Sequence, residues 1–168
     1  GLRQSYDGNW YYYQDNGSIA RVNTVAPYGD GWWVVRHGIL DFNYTGLAQN
    51  ENGWWHCTNG KVDFGYTGFS QNGNSWWYCK AGHVGFDDNG LFYGTVNGQT
   101  GWWKVVNSQV IFDNDVRDNA IGWWKIDNGM VNFDYTGLAQ NENGWWHCVN
   151  GKVDFNYYGF SQNGDSWW

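Results

Sequence analysis

The residues with the most capacity for chemistry are aromatic. Fifteen tryptophans fall in one series: Trp10, then pairs beginning at Trp32, Trp54, Trp76, Trp102, Trp123, Trp145 and Trp167. An indole face stacks on the C–H patch of a pyranose ring, and several such faces together enclose a quaternary ammonium. Strand alternation sends the two members of a pair to opposite faces, so the second enters a core while the first turns away. Two readings of the first Trp then compete. Either it packs on the next repeat and cements an array, or it stays partly open beside a linker Tyr as a binding platform. The second reading names Trp32, Trp54, Trp76, Trp123 and Trp145, with Tyr44, Tyr66, Tyr135 and Tyr157, as ligand-binding residues. Gln49, Asn50, Gln71, Asn72, Gln140 and Asn141 stand in the linkers to meet sugar hydroxyls.

Other candidate chemistry is thinner. His56 and His147 lie opposite Asp63 and Asp154, half of a catalytic arrangement, but no Ser or Cys nucleophile is expected on the same face. No catalytic residue is assigned. Asp87-Asp88-Asn89-Gly90 and Asp113-Asn114-Asp115 with Asp118 faintly resemble calcium loops, yet both lack the ligand spacing and a closing Glu. They read as turns, and no metal or cofactor is implied. Cys57, Cys79 and Cys148 hold the position that Val35, Val105 and Ile126 fill elsewhere, so Cys serves as a small hydrophobe. A Cys57–Cys79 bridge stays open if adjacent units stack in phase. The absence of CxxC speaks against structural zinc.

The elements that position these residues are repeats. The Trp steps are 22, 22, 22, 26, 21, 22 and 22 residues, and each pair but the last is followed by a Phe ten residues after its first Trp. A longer period lies above: Gly137–Phe155 matches Gly46–Phe64 at a shift of 91 residues. Within one unit, Asn59-Gly60 predicts a type I′ turn that pairs Thr58 with Lys61, Cys57 with Val62 and Trp55 with Phe64. One face then carries Trp55, Cys57, Val62 and Phe64, and its counterparts in the other units are all apolar or Cys. That face is the expected core. A lone hairpin is marginal in water, so the units must stack, as an all-β β-solenoid-like or twisted antiparallel array of hairpins about 22 residues each. The linkers are expected to return the chain, with a short third strand as one form of that return.

Composition narrows the classes further. Aromatic residues make up 21% of 168 residues, Gly numbers 25 and Pro 1, and helix formers are scarce. A helical bundle is therefore excluded. The formal net charge of −7 lacks the basic field that nucleic acid or an anionic membrane requires, and it favours a cationic ligand. No apolar run is long enough to span a bilayer and no signal-peptide pattern opens the chain, which reads as a soluble or mature portion of something larger. Four segments are expected: an N-terminal hairpin over 1–31, a run of GWW repeats over 32–86, an insertion over 87–101, and a second, truncated run over 102–168.

The opening stretch from Asp7 to Ile19, with Trp10-Tyr11-Tyr12 and Asn16-Gly17, resembles the choline-binding and glucan-binding cell-wall repeats of Gram-positive bacteria. The rest, with its GWW, NGKVDF, YTG and AQNENG stretches, resembles tandem repeats of secreted surface proteins of gut Clostridia. The resemblance implies a secreted or cell-surface, non-catalytic module that binds polysaccharide, either an α-glucan or starch-like chain or the cell-wall glycan. The alternatives are a structural spacer or adhesin stalk gripping a host protein, and a choline-type wall anchor. The chain departs from the choline pattern in its doubled Trp and in lacking YTG after Phe86 and Phe112.

Overall fold

The computed structural model describes residues 1–168, all of them in strands, turns and short connections, without a helix. No helix is therefore long and apolar enough to cross a membrane. The chain divides into two compact units, Gly1–Gly85 and Phe86–Trp168.

The first unit opens with β1 (Leu2–Gln4) and β2 (Trp10–Tyr12) and continues through β3 (Thr24–Tyr28), β4 (Gly31–Arg36), β5 (Ile39–Leu40), β6 (Gly46–Asn50), β7 (Gly53–Thr58) and β8 (Lys61–Val62). These eight strands form an antiparallel sheet in the order β1-β2-β5-β4-β8-β7-β6, with β3 on β4. A further hairpin, β9 (Gly68–Asn72) and β10 (Ser75–Cys79), follows. The second unit comprises β11 (Gly90–Val96), β12 (Gln99–Val106), β13 (Gln109–Val110), β14 (Asp115–Asn119), β15 (Gly122–Asp127), β16 (Met130–Val131), β17 (Gly137–Asn141), β18 (Gly144–Val149) and β19 (Lys152–Val153). Its strands run in the order β17-β18-β19-β15-β16-β12-β13, with β11 on β12 and β14 on β15. A separate pair, β20 (Gln162–Asn163) and β21 (Ser166–Trp167), ends the chain.

The Asn-Gly turns form as the sequence requires. Asn59 and Gly60 both have positive φ (49° and 78°), and Cys57 pairs with Val62 and Thr58 with Lys61. The main hairpin is another one. The linker strand β6 pairs with β7 over five positions, from Gly46 opposite Cys57 to Asn50 opposite Gly53. Each repeat is thus a linker strand, a GWW strand and a two-residue return.

That short return corrects one expectation. Alternation puts Phe64 on the core face opposite Trp55, but β8 ends at Val62, and beyond Asp63 the chain turns away before Phe64 can be carried inward. Phe64 is 45% exposed, and Phe42, Phe86, Phe112, Phe133 and Phe155 are exposed as well. The second Trp is half-buried rather than enclosed in every complete repeat except the one holding Trp103, which is 2% exposed.

The core consists of small clusters at the seams between repeats. Val25, Val34, Cys57 and Val62 are buried together with Trp32, Tyr44, Ala48 and Trp55 packed around them. The same arrangement recurs around Cys148 and Val153 with Trp123, Tyr135 and Trp146, and around Cys79 and Val84 with Trp54, Tyr66 and Trp77. Burying each large side chain stabilises by roughly 1.5–3 kcal/mol, and each of these clusters draws on two successive repeats, so no repeat completes a core alone. All three cysteines are free thiols at 0% exposure, in the role of small hydrophobes. The Cys57–Cys79 bridge is not formed.

The insertion has a simple geometry. The 26-residue step exceeds 22 by four, and β11 and β12 pair over seven positions, from Gly90 opposite Val105 to Val96 opposite Gln99. Compared with the five-pair β6–β7 hairpin, two residues have been added to each strand.

Candidate functional site

Five of the second Trp residues are held by the indole N–H. Trp55 Nε1 donates to Asn50 Oδ1 (3.0 Å), Trp124 Nε1 to Asn119 Oδ1 (3.0 Å) and Trp146 Nε1 to Asn141 Oδ1 (2.9 Å). Where that Asn is absent, Trp33 Nε1 donates to the Tyr28 carbonyl and Trp103 Nε1 to the Gly94 carbonyl, both at 3.1 Å. The following repeat then lays a side chain over the ring: Lys61 Nζ over Trp33 at 5.3 Å, Lys152 Nζ over Trp124 at 5.7 Å, and the His83 ring 4.6 Å from that of Trp55. The glycine of GWW lies beneath these side chains in two of the repeats. A Cβ at Gly31 would lie 2.5 Å from Lys61 Cε, and one at Gly122 would lie 2.5 Å from Lys152 Cε.

The first Trp meets the second Trp of the next repeat and the Phe that follows it. Trp32, Trp55 and Phe64 form a triad with centroid separations of 5.1, 5.4 and 5.6 Å and steeply inclined planes. Trp123, Trp146 and Phe155 repeat those three separations. Rings so close are in edge-to-face contact and leave no room for a guest.

The seam between the β11–β12 and β14–β15 hairpins is different. Trp102 is paired across the strands with Tyr93, whose ring lies 5.5 Å away, while Trp124 packs on Phe133 at 5.4 Å. A hollow of about 390 Å³ opens there, lined by Trp102, Trp124, Phe133, Leu91, Val131 and the Asn119–Ile121 turn. Trp102 is 39% exposed. The lining carries no charged residue, and its one side-chain amide, Asn119, already spends its oxygen on Trp124 Nε1 and the N–H groups of Ile121 and Gly122.

The residues assigned to binding from sequence are distributed as follows. Trp32, Trp54 and Trp123 are half-buried in the seam clusters, which is the cementing arrangement; Trp76 is half-buried; Trp145 is 52% exposed. Tyr44, Tyr66, Tyr135 and Tyr157 each donate a hydroxyl hydrogen bond to a backbone carbonyl three residues on, of Leu47, Phe69, Leu138 and Phe160 respectively. Tyr157 is the most open of the four. Sequence reasoning left Trp102 out of the assigned residues and missed Phe133, Leu91, Ile121 and Val131. The irregular 26-residue step was the available signal, because it marks the one hairpin whose first Trp faces a Tyr.

The histidines prove to be structural. The His56 ring stacks on Tyr66 at 3.7 Å and its Nδ1 is 2.7 Å from Ser70 Oγ; His147 repeats this with Tyr157 (3.6 Å) and Ser161 (2.6 Å). A serine does therefore meet each histidine, contrary to expectation, because the linker returns Ser70 to His56 and Ser161 to His147. Ser70 and Ser161 are buried, at 2% and 5% exposure. Burial holds the His56 imidazole below its ordinary pKa, with Asp63 opposing weakly. Lys104, at the position of His56, is buried on Asp113 and Asp115 at 2.8 and 2.7 Å; burial alone would lower its pKa, but the two carboxylates outweigh it and raise it. No cluster of His, Cys, Asp or Glu is arranged to hold a metal ion.

A fold of stacked hairpins with an aromatic site at a seam defines a class of repeat module, and comparison places it. The choline-binding repeat family matches residues 1–15, 43–63, 65–84 and 134–154, so the chain is related to choline-binding and cell-wall repeats. Repeats of that family are typically non-catalytic binding modules associated with the cell surface of Gram-positive bacteria. The hollow lies between the matched stretches. Among solved structures, CbpJ from Streptococcus pneumoniae TIGR4 is similar over 100% of the chain, with 19% identity and a TM-score of 0.41. CbpF, solved in complex with ipratropium, is similar over 100% of the chain, with 17% identity and a TM-score of 0.39. The chain spans 57% and 58% of those two chains. No curated protein matches it.

Proposed function

We propose that the chain is a non-catalytic, surface-located module whose hollow at Trp102, Trp124 and Phe133 receives a quaternary ammonium group of choline type carried by the cell-wall glycan. The observation that carries this reading is the open aromatic hollow, set beside two sister triads that are closed. Its chemistry supports a methylated cation over a sugar ring. Aromatic faces attract the cation, apolar walls suit its methyl groups, and the NH₂ of Asn119 is the one side-chain amide donor left to meet a hydroxyl. Lys152 occupies one approach to Trp124, which weakens the site but leaves its lining uncharged. With cation–π contacts worth about 0.5–2 kcal/mol each, affinity near millimolar, roughly −4 kcal/mol, is expected.

The test is retention on a resin bearing choline. Because the chain is acidic, elution by choline chloride must be compared with sodium chloride of the same ionic strength. Elution by choline alone supports the reading; equal elution by both salts overturns it.

A second reading, polysaccharide bound by stacking, is favoured at Trp145. That ring is exposed and stands opposite the exposed amide of Gln140, the pairing of platform and hydrogen-bonding group that a pyranose uses. Titration with malto-oligosaccharides of increasing length, against Trp145→Ala, tests it. Binding that the substitution leaves unchanged rules that platform out.

A further inference from the structure

We propose that a second groove, in the first unit, is a binding site for a sugar bearing a negative charge. The groove has a volume of about 270 Å³ and lies where β3, β4, β6 and the end of β9 come together. Trp54 and Tyr44 give it aromatic surface, and Arg36, Gln49, Asn72 and Asn23 give it polar side chains. Its size, just under the usual 300–1,000 Å³ of small-molecule pockets, suits one sugar ring rather than a larger ligand.

The polar groups are available. Arg36 forms no ion pair with any carboxylate of the chain, although the chain is acidic; its guanidinium is instead held over the Tyr44 ring at 5.2 Å. The guanidinium donates no hydrogen bond within the chain, which leaves its N–H groups, a planar fork, for a carboxylate or phosphate. Gln49 is exposed and stands opposite Trp54 across the β6–β7 hairpin, so an amide borders the indole that a ring would cover. The Asn23 oxygen accepts the His37 N–H, which leaves its NH₂ to donate.

A groove at the matching register of the second unit supplies the contrast. It is lined by Asn89, Lys104, Arg117 and Asp118 among others, and its two cations are already met by carboxylates of the chain. Lys104 binds Asp113 and Asp115, and Arg117 binds Asp115 and Glu142 at 2.6 and 2.7 Å. Those two cations stand at the positions of Val34 and Ala48, and Val106 stands at that of Arg36. Each cation lining the second groove is paired within the chain, whereas Arg36, the cation lining the first, has no carboxylate partner, and a ligand supplies the anion. This site shares no residue with the Trp102 hollow, so it stands or falls separately from the quaternary-ammonium reading.

The experiment uses the full chain with two probes, tri-galacturonic acid as the carboxylated sugar and glucose 6-phosphate as the phosphorylated one, and maltotriose as the uncharged reference. Binding is followed by saturation-transfer NMR and by intrinsic fluorescence, at low and at high salt. At least one charged probe is expected to bind more tightly than maltotriose, and which of the two does so identifies the anion. Arg36→Gln is expected to weaken that probe by about tenfold to a hundredfold, as for a lost charge-assisted hydrogen bond, and added salt is expected to weaken it as well. Gln49→Ala, on an exposed strand position that leaves the fold intact, weakens both charged and uncharged sugars. Free choline does not compete. The proposal is overturned if neither charged probe outbinds maltotriose, if Arg36→Gln and Gln49→Ala both bind as the parent does, or if choline displaces the probe.

Discussion

Replacing Gly60 by Ala isolates what joins one repeat to the next. Gly60 has φ +78°, and a Cβ there would lie 2.3 Å from the Asp41 carbonyl oxygen and 2.8 Å from Phe42 Cα. Both are backbone atoms of the preceding repeat and cannot rotate away. The same residue carries two bonds between repeats: its N–H donates to the Tyr44 carbonyl and its carbonyl accepts the Val34 N–H, each at 2.8 Å. Holding an alanine in the left-handed region costs about 1–2 kcal/mol. Separating the backbones removes two hydrogen bonds at about 0.5–1.5 kcal/mol each. The expected loss is therefore about 2–5 kcal/mol. Gly73 is the control, with φ +60° and nothing within 4 Å of an added Cβ, so Gly73→Ala is expected to cost only the backbone share. Urea unfolding of the two variants, read by Trp fluorescence, gives the difference. If Gly60→Ala is no more destabilised than Gly73→Ala, the repeats are not held by this close backbone approach.

Three further outcomes are expected. Trp103→Ala removes a nearly fully buried indole and its bond to Gly94, and is expected to cost about 3–5 kcal/mol in denaturant unfolding, against a smaller loss for the exposed Trp102→Ala; equal losses would contradict the asymmetry. Burial pushes the Cys57 thiol up to about 12 and Cys148 to about 11; with roughly 1 in 10⁴ of Cys57 ionised at pH 8, alkylation is expected only on unfolding, and rapid native labelling by mass spectrometry would refute it. His56, held below its unfolded pKa, binds protons less readily in the folded state, so its contribution to stability is full above about pH 6.5 and is lost as pH falls from there through the lower folded value; His56→Gln is expected to flatten this decline in unfolding curves taken from pH 8 to 5.

Much of the scaffold is legible because its rules are local. The Asn-Gly turns, the pairing of Cys57 with Val62, and the interchange of Cys with Val or Ile all follow from two-residue periodicity and turn chemistry. The length of the return strand is not local. Phe64 alternates correctly on paper, but its place depends on where the next repeat crosses, and β8 ends first. The aromatic site was legible only in part. Trp pairs announce stacking surfaces, yet whether a triad closes, as at Trp32, or opens, as at Trp102, turns on one cross-strand partner, Tyr93. The groove at Arg36 joins Trp54, Tyr44 and the linker amides Gln49 and Asn72, all conspicuous in the sequence, but their convergence depends on β6 and β9 lying side by side.

Calorimetric titration of choline into the parent chain, Trp102→Ala and Trp32→Ala tests the binding role most directly. A saturable, near-millimolar heat is expected for the parent and for Trp32→Ala, whose triad is closed, and no heat for Trp102→Ala, which removes one wall of the hollow. No binding by the parent, or equal losses in the two variants, would contradict it.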